Sequence, residues 1–189
     1  MAGKSVVILE GEDDFVNMLA HVFSVLGMHP TILKRTDWTP DSFTGFDLVV
    51  VGPGPGDPRD GDDPKIALYR QAITGLLHSG QPFLSVCLGH QVLCDQLGIG
   101  LAYKDIVFQG TQSEVDLFGH QERVGFYNTF VGRAGDELPA GVTVAADPDS
   151  GDIHQVNGPH FRGIQFHAES ILTENGFALI RGLMLDLLG

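Results

Sequence analysis

The sequence predicts an α/β protein, an open, mostly parallel, twisted sheet with helices on both faces and a small antiparallel region at one edge. Three observations predict it. Short β-branched runs alternate with segments of helical period. Two runs, Asp47–Val51 and Phe83–Val86, are apolar without alternation, as strands covered on both faces are. The stretch from about Leu101 to Ala146 then changes to short alternating runs divided by Gly and Pro, the pattern of antiparallel strands and loops.

Each element follows from its residues. Ser5–Leu9 is β-branched and reads as the first strand. Asp13–Leu26 places Phe15, Leu19, Val22, Phe23 and Leu26 on one helical stripe, and Gly27 stops it. Thr31–Leu33 and Asp47–Val51 are the second and third strands. Gly52-Pro53-Gly54-Pro55-Gly56-Asp57-Pro58 can form neither helix nor strand. Pro64 suits the first position of a helix to about His78. Phe83–Val86 is a fourth strand that runs straight into the helical segment Leu88–Leu97. In the edge region, Ser113–Phe118 and Val142–Ala145 are the clearest strands. Gly163–His167 is expected as the last core strand, and Glu174–Leu188 as a closing amphipathic helix. No repeat or long linker interrupts residues 1–189, which are expected to form one domain.

Composition narrows the function. Eleven Lys and Arg against 24 Asp and Glu give a net charge of −13, and apolar residues make up 43 %. A chain so poor in clustered cations is not expected to bind nucleic acid or an anionic membrane surface. The apolar tail Phe177–Leu188 is too short to span a bilayer and is broken by Arg181 and Asp186. Ser5–Leu9 meets acidic residues, not a cleavage site, so it does not read as a signal peptide. Cys87 and Cys94, in one helix, would stand about 10 Å apart, beyond disulfide reach. Free thiols point to the cytoplasm.

Cys87 sits between a buried strand and a helix, in Ser85-Val86-Cys87-Leu88-Gly89-His90-Gln91. Such a turn lifts its central side chain out of the sheet, at the end where open α/β sheets bind ligands. The helix N-terminus favours a thiolate and offers N–H groups to an oxyanion. These features make Cys87 a candidate nucleophile, whereas Cys94, on the apolar face of the helix, is expected in the core. A thiol nucleophile needs an oriented base. His21, His29 and His78 read as surface or helix-end residues, and a helix turns His90 away from Cys87. His167 closes an apolar strand, and Glu169 follows two residues later. In extended backbone the two share a face, so the carboxylate can orient the ring. The histidines show no metal-ligand spacing, and no metal or other cofactor is expected. The acidic Glu12, Asp13 and Asp14 hint at a signalling receiver domain. Such a domain wants an Asp after the third strand, where Gly52 stands, so the cluster reads as a solvated helix start.

Together, Cys87-Leu88-Gly89-His90-Gln91, His167-Ala168-Glu169-Ser170 and Gly52-Pro53-Gly54-Pro55-Gly56 resemble the motifs of triad (class I) glutamine amidotransferases, in order and spacing, over nearly the whole chain. The glycine-proline loop resembles the chorismate-pathway branch, the amidotransferase subunits of anthranilate and aminodeoxychorismate synthases. Gly125-Phe126-Tyr127-Asn128-Thr129-Phe130, with His-Ala-Glu in place of His-Pro-Glu, is most similar to the phenazine-type 2-amino-2-deoxyisochorismate synthases. The resemblance implies a Cys87, His167, Glu169 triad that hydrolyses L-glutamine to glutamate and ammonia. It also implies an oxyanion site at the N–H of Leu88 and at the Gly54, Pro55, Gly56 loop. Gln91 and the backbone of Thr129 and Phe130 would hold the amino-acid end.

Four departures mark the chain. Ser85 stands where Gly is common, Ala168 where Pro is usual, Asn128 where His is usual, and Gln109-Gly110 replaces a frequent His-Gly. The length leaves no room for a chorismate-binding domain, so a synthase partner chain is expected, meeting apolar surface near Cys87 and residues 101–130. The alternative is a non-catalytic subunit that stabilises an ammonium-dependent synthase. A cysteine hydrolase of peptides or small amides shares the Cys/His logic but needs neither the glycine-proline loop nor Gln91.

Overall fold

Seven strands of the main sheet run in the order β2-β1-β3-β4-β11-β10-β9 in the computed structural model, which describes residues 1–135 and 137–189. β1 (Ser5–Leu9), β2 (His29–Leu33), β3 (Leu48–Val51), β4 (Phe83–Val86) and β11 (Phe161–Ile164) pair in parallel. β10 (Ile153–Asn157) and β9 (Thr143–Ala146) extend them antiparallel. β5 (Gly100–Tyr103) pairs with β8 (Phe130–Arg133), and β6 (Thr111–Leu117) with β7 (His120–Phe126), outside that sheet.

The alternation of side chains along a strand divides the core in two. Val6 and Ile8 of β1 pack with α1 (Phe15–Val25) and α4 (Gly176–Leu188) through Leu19, Phe23, Ile180 and Met184. Val7 and Leu9 turn to the other face and meet α2 (Pro64–Ser79) and α3 (Leu88–Gln96) through Ile66, Tyr69, Ile73 and Leu88. β3 and β4 are buried along their whole length, which explains their unbroken apolar runs. The helix ends follow local chemistry. Asp63 caps α2 by accepting from the Lys65 N–H at 2.7 Å, Pro64 takes the first position, and Gly80 closes the helix at φ 72°.

One strand boundary is corrected. The last parallel strand covers Phe161–Ile164, so His167 lies beyond it. The antiparallel edge is present as expected, with β9 and β10 closing the main sheet, although β7, β8 and β10 are strands that the apolar pattern did not mark. β10 reads Ile-His-Gln-Val-Asn, and its polar residues hide the strand although it lies between β9 and β11. The β6–β7 hairpin turns through Phe118 at φ 57° and Gly119 at φ 92°, the two left-handed residues of a type I′ turn. The Asp116 carboxylate accepts from the Gly119 N–H and braces it.

Candidate active site

Cys87 terminates β4 and heads α3 with φ 51° and ψ −104°, a backbone conformation an L residue adopts only when its surroundings impose it. Its N–H donates to the Ile164 carbonyl, which locks the turn to the end of β11. Gly89 allows the close packing. A methyl group there would stand 2.3 Å from the Val51 carbonyl oxygen, so no other residue lets α3 start so near β3. Cys87 is 7 % exposed, at the rim of the core. As first residue of α3, Leu88 has an N–H with no acceptor inside the helix.

His167 faces this turn. Its ring Nδ1 and the Glu169 carboxylate are 2.9 Å apart, with both side chains inaccessible to solvent. The pair forms differently from the expectation. Backbone after Ile164 is not extended, and a turn brings Glu169 back to the ring, closed by the Ser170 N–H donating to the His167 carbonyl at 3.1 Å. The same carbonyl accepts from Thr173 Oγ1, and the His167 N–H donates to the Gly125 carbonyl. These bonds fix a turn that Ala168 leaves less preset than proline would. Burial works against a charge on His167, but Cys87 beside the ring, and then Glu169, outweigh it. They hold the His167 pKa well above 6.5. With Nδ1 committed to Glu169, Nε2 is the nitrogen left for sulfur.

The glycine-proline loop leaves β3 next to Gly89. A Cβ on Gly54 would stand 2.3 Å from the Gly11 carbonyl oxygen, so the loop rests directly on the β1–α1 turn. Farther along, the Arg59 guanidinium lies 4.7 Å over the Phe130 ring, joining the loop to β8. The Gln91 amide nitrogen donates to the Phe130 carbonyl at 2.8 Å and to Gln165 Oε1 at 3.1 Å. Asn128 Nδ2 donates to that same Phe130 carbonyl at 2.8 Å, and the Thr129 carbonyl accepts from the Lys104 N–H. The carbonyls of Thr129 and Phe130 are thus engaged within the protein, and that of Phe130 braces Gln91. Asn128, in the position where histidine is usual, joins this network.

Several supporting residues were not marked by sequence reasoning. Tyr69 Oη donates to the Gly52 and Leu9 carbonyls and ties the ends of β3 and β1. Lys65, 5 % exposed, reaches Glu12. Phe15 and Tyr127 lie against the His167 ring. His90, expected to turn away from Cys87, is fully buried against Cys94, with Nε2 to Sγ 3.6 Å. Burial drives its pKa down to about 3, and pushes Cys94 up to about 12. His21, His29 and His78 are exposed, and both cysteines are free thiols.

A buried Cys–His–Glu constellation beside a glycine loop is the arrangement the three motifs imply, and residues 7–187 match the family "Glutamine amidotransferase class-I". The chain belongs to that family. It is 45 % identical over 188 residues to the phenazine-specific anthranilate synthase of Pseudomonas fluorescens, covering 97 % of this chain and 29 % of that protein. The anthranilate synthase component 2 of Archaeoglobus fulgidus is 29 % identical over 186 residues, covering 95 % of this chain and 96 % of that one. In fold, the chain matches the crystal structure of a glutamine amidotransferase from Thermotoga maritima. The TM-score is 0.78 at 18 % identity, over 100 % of this amidotransferase and 97 % of that one. No helix among the described residues is long and apolar enough to cross a membrane, and no cluster of three or more metal-ligating side chains occurs among them.

Proposed function

We propose that residues 1–189 form one glutaminase domain, which hydrolyses L-glutamine to glutamate and ammonia through Cys87, His167 and Glu169. The observation that carries this reading is the strained Cys87 turn set against a buried His167–Glu169 pair 2.9 Å apart.

The chemistry follows from the geometry. The Cys87 thiolate attacks the side-chain amide carbon of glutamine. The oxyanion forms between the Leu88 N–H and the loop at Gly54, Pro55 and Gly56, with the α3 N-terminus beneath it. His167, held protonated by its neighbours, gives its Nε2 proton to the amide nitrogen as the C–N bond breaks, and ammonia leaves. The γ-glutamyl thioester remains on Cys87. Neutral His167 next takes a proton from water, the resulting hydroxide attacks the thioester, and the C–S bond breaks. Glutamate leaves and the thiolate–imidazolium pair is restored. Gln91, its amide nitrogen spent on Phe130 and Gln165, presents its carbonyl oxygen to the ammonium group of glutamine. The backbone around Thr129 and Phe130 would hold the amino-acid end of glutamine with Gln91, which the Phe130 carbonyl braces.

Ammonia is useful only where it is consumed. We assign the acceptor to a chorismate-using synthase of the 2-amino-2-deoxyisochorismate or anthranilate type, in the cytoplasm; the relatives named anthranilate synthase, one of them phenazine-specific, support a synthase of this kind. Apolar side chains left at the surface near the site support a docking face. Ile171, two residues past Glu169, is 92 % exposed, Ile106 74 % and Tyr103 56 %.

A diazoketone analogue of glutamine tests the site. It should alkylate Cys87 and spare Cys94, and excess glutamine should protect. Labelling of Cys87 no faster than in the urea-unfolded chain would remove the assignment.

A further inference from the structure

The β1–α1 turn, which reads as a solvated acidic helix start, is built into the site. Glu12 sits at φ 67°, a left-handed conformation costly for a residue other than glycine. Its carboxylate is held by Arg35 at 2.6 Å and by the buried Lys65 at 3.5 Å. Asp13 Oδ1 accepts from the Phe15 N–H at 2.8 Å and starts α1. A turn so fixed aims one side chain. The Phe15 ring lies 4.4 Å, centroid to centroid, from the His167 ring.

Tyr127 stands beside Phe15 against the same imidazole. Its ring is 5.1 Å from that of His167 at an interplanar angle of 80°, and 4.9 Å from Phe15. Tyr127 Oη and Ser170 Oγ are 3.0 Å apart, which ties the aromatic ring to the turn carrying Glu169.

We propose that Phe15 and Tyr127 are positioning residues, which together back the His167 ring where it stands between Cys87 and Glu169 and favour its protonated form through their π systems. The inference rests on the glutaminase reading for its purpose, but not for its physics. A cation against an aromatic ring gains on the order of 0.5–2 kcal/mol. At 1.36 kcal/mol per pH unit that equals about 0.4–1.5 units of pKa on the imidazolium. The strongest polar influences on the ring are those of Cys87 and Glu169. Of the acids of the turn, Asp13 accepts from the Phe15 N–H and Glu12 is paired with Arg35 and Lys65. Phe15 therefore brings a π system to His167 without a charge of its own.

The test is an NMR titration of 15N-histidine-labelled protein at its natural length, the His167 signal being assigned by its absence in His167→Gln. Phe15→Leu keeps an apolar side chain and removes the ring. It should lower the His167 pKa by about half a unit or more, and move the alkaline limb of glutaminase activity down with it. Phe15→Tyr should restore both. Tyr127→Leu removes the other ring, gives the same sign, and decides the matter should Phe15→Leu not fold. His167 titrating at the wild-type pH in the leucine variants, or equally low in Phe15→Tyr, overturns the proposal. The titration needs no glutamine, so its failure is distinct from a failure of the glutaminase reading.

Discussion

Acid should loosen this fold through His90. The ring is fully buried under α3, and burial, with the charge of nearby His154 adding to it, lowers its pKa from 6.5 to about 3. A histidine with a depressed folded pKa favours the folded state above its unfolded pKa. That contribution is lost as pH falls below 6.5, and the loss levels off once the folded pKa is passed. Between pH 7.5 and 4.5 the cost is about two units, or about 2.7 kcal/mol. Other groups titrate in the same range, so a difference isolates the His90 contribution. Urea unfolding should be followed at both pH values for wild type and for His90→Gln, which stays neutral throughout. Wild type should lose about 2–3 kcal/mol more than the variant over the interval. Parallel losses would rule this out, because a buried neutral His90 cannot then be what acid disrupts.

Three further outcomes follow from the site and its supports. Gly89→Ala puts a methyl group 2.3 Å from the Val51 carbonyl oxygen; it should cost about 1–3 kcal/mol in urea unfolding and more than 10-fold in kcat/KM, since α3 must shift. Glu169→Gln should cut kcat on the order of 100-fold by freeing the His167 ring. It should also flatten the alkaline loss of stability in wild type: a raised His167 pKa stabilises fully below 6.5 and fades as pH climbs through the folded value. Asp152 accepts from Lys104 and from Arg133 at 3.0 Å, and Asp152→Asn should destabilise by about 3 kcal/mol at neutral pH in urea unfolding. Burial opposes the Asp152 charge, but those two cations hold its pKa below 3.8, so the wild-type advantage should disappear only as acid passes that lowered value.

Much of the fold was legible because burial on two faces leaves a plain signature. β1 and β4 have the boundaries their apolar runs predict, and α2 starts at Pro64 and ends one residue beyond the expected His78. The edge was harder. β7 carries His120, Gln121, Glu122 and Arg123 before its buried end, and β10 carries His154, Gln155 and Asn157. Their strand character depends on distant pairing partners, which no local pattern reveals. At the candidate site, Cys87 could be singled out from residue type and its place between β4 and α3, and His167 from the apolar run before it, although the strand itself stops at Ile164. The route from His167 to Glu169 could not be read, because the strand ends at Ile164 and a turn replaces the extended backbone. Phe15 and Tyr127 carried weak signals. One opens an apolar helical stripe just past the ligand-binding end of β1, and the other precedes the Asn128-Thr129-Phe130 segment. Their convergence on one imidazole is a property of the folded chain.

Whether Cys87 makes ammonia for a synthase is decided by glutamate release from L-glutamine, with a chorismate-using synthase present, by wild type and by Cys87→Ala. Wild type should release glutamate at the pace of aminated product, and Cys87→Ala should release none above background while the synthase still accepts added ammonium. Equal, slow release by both proteins would contradict a glutaminase role and leave this chain a structural companion of the synthase.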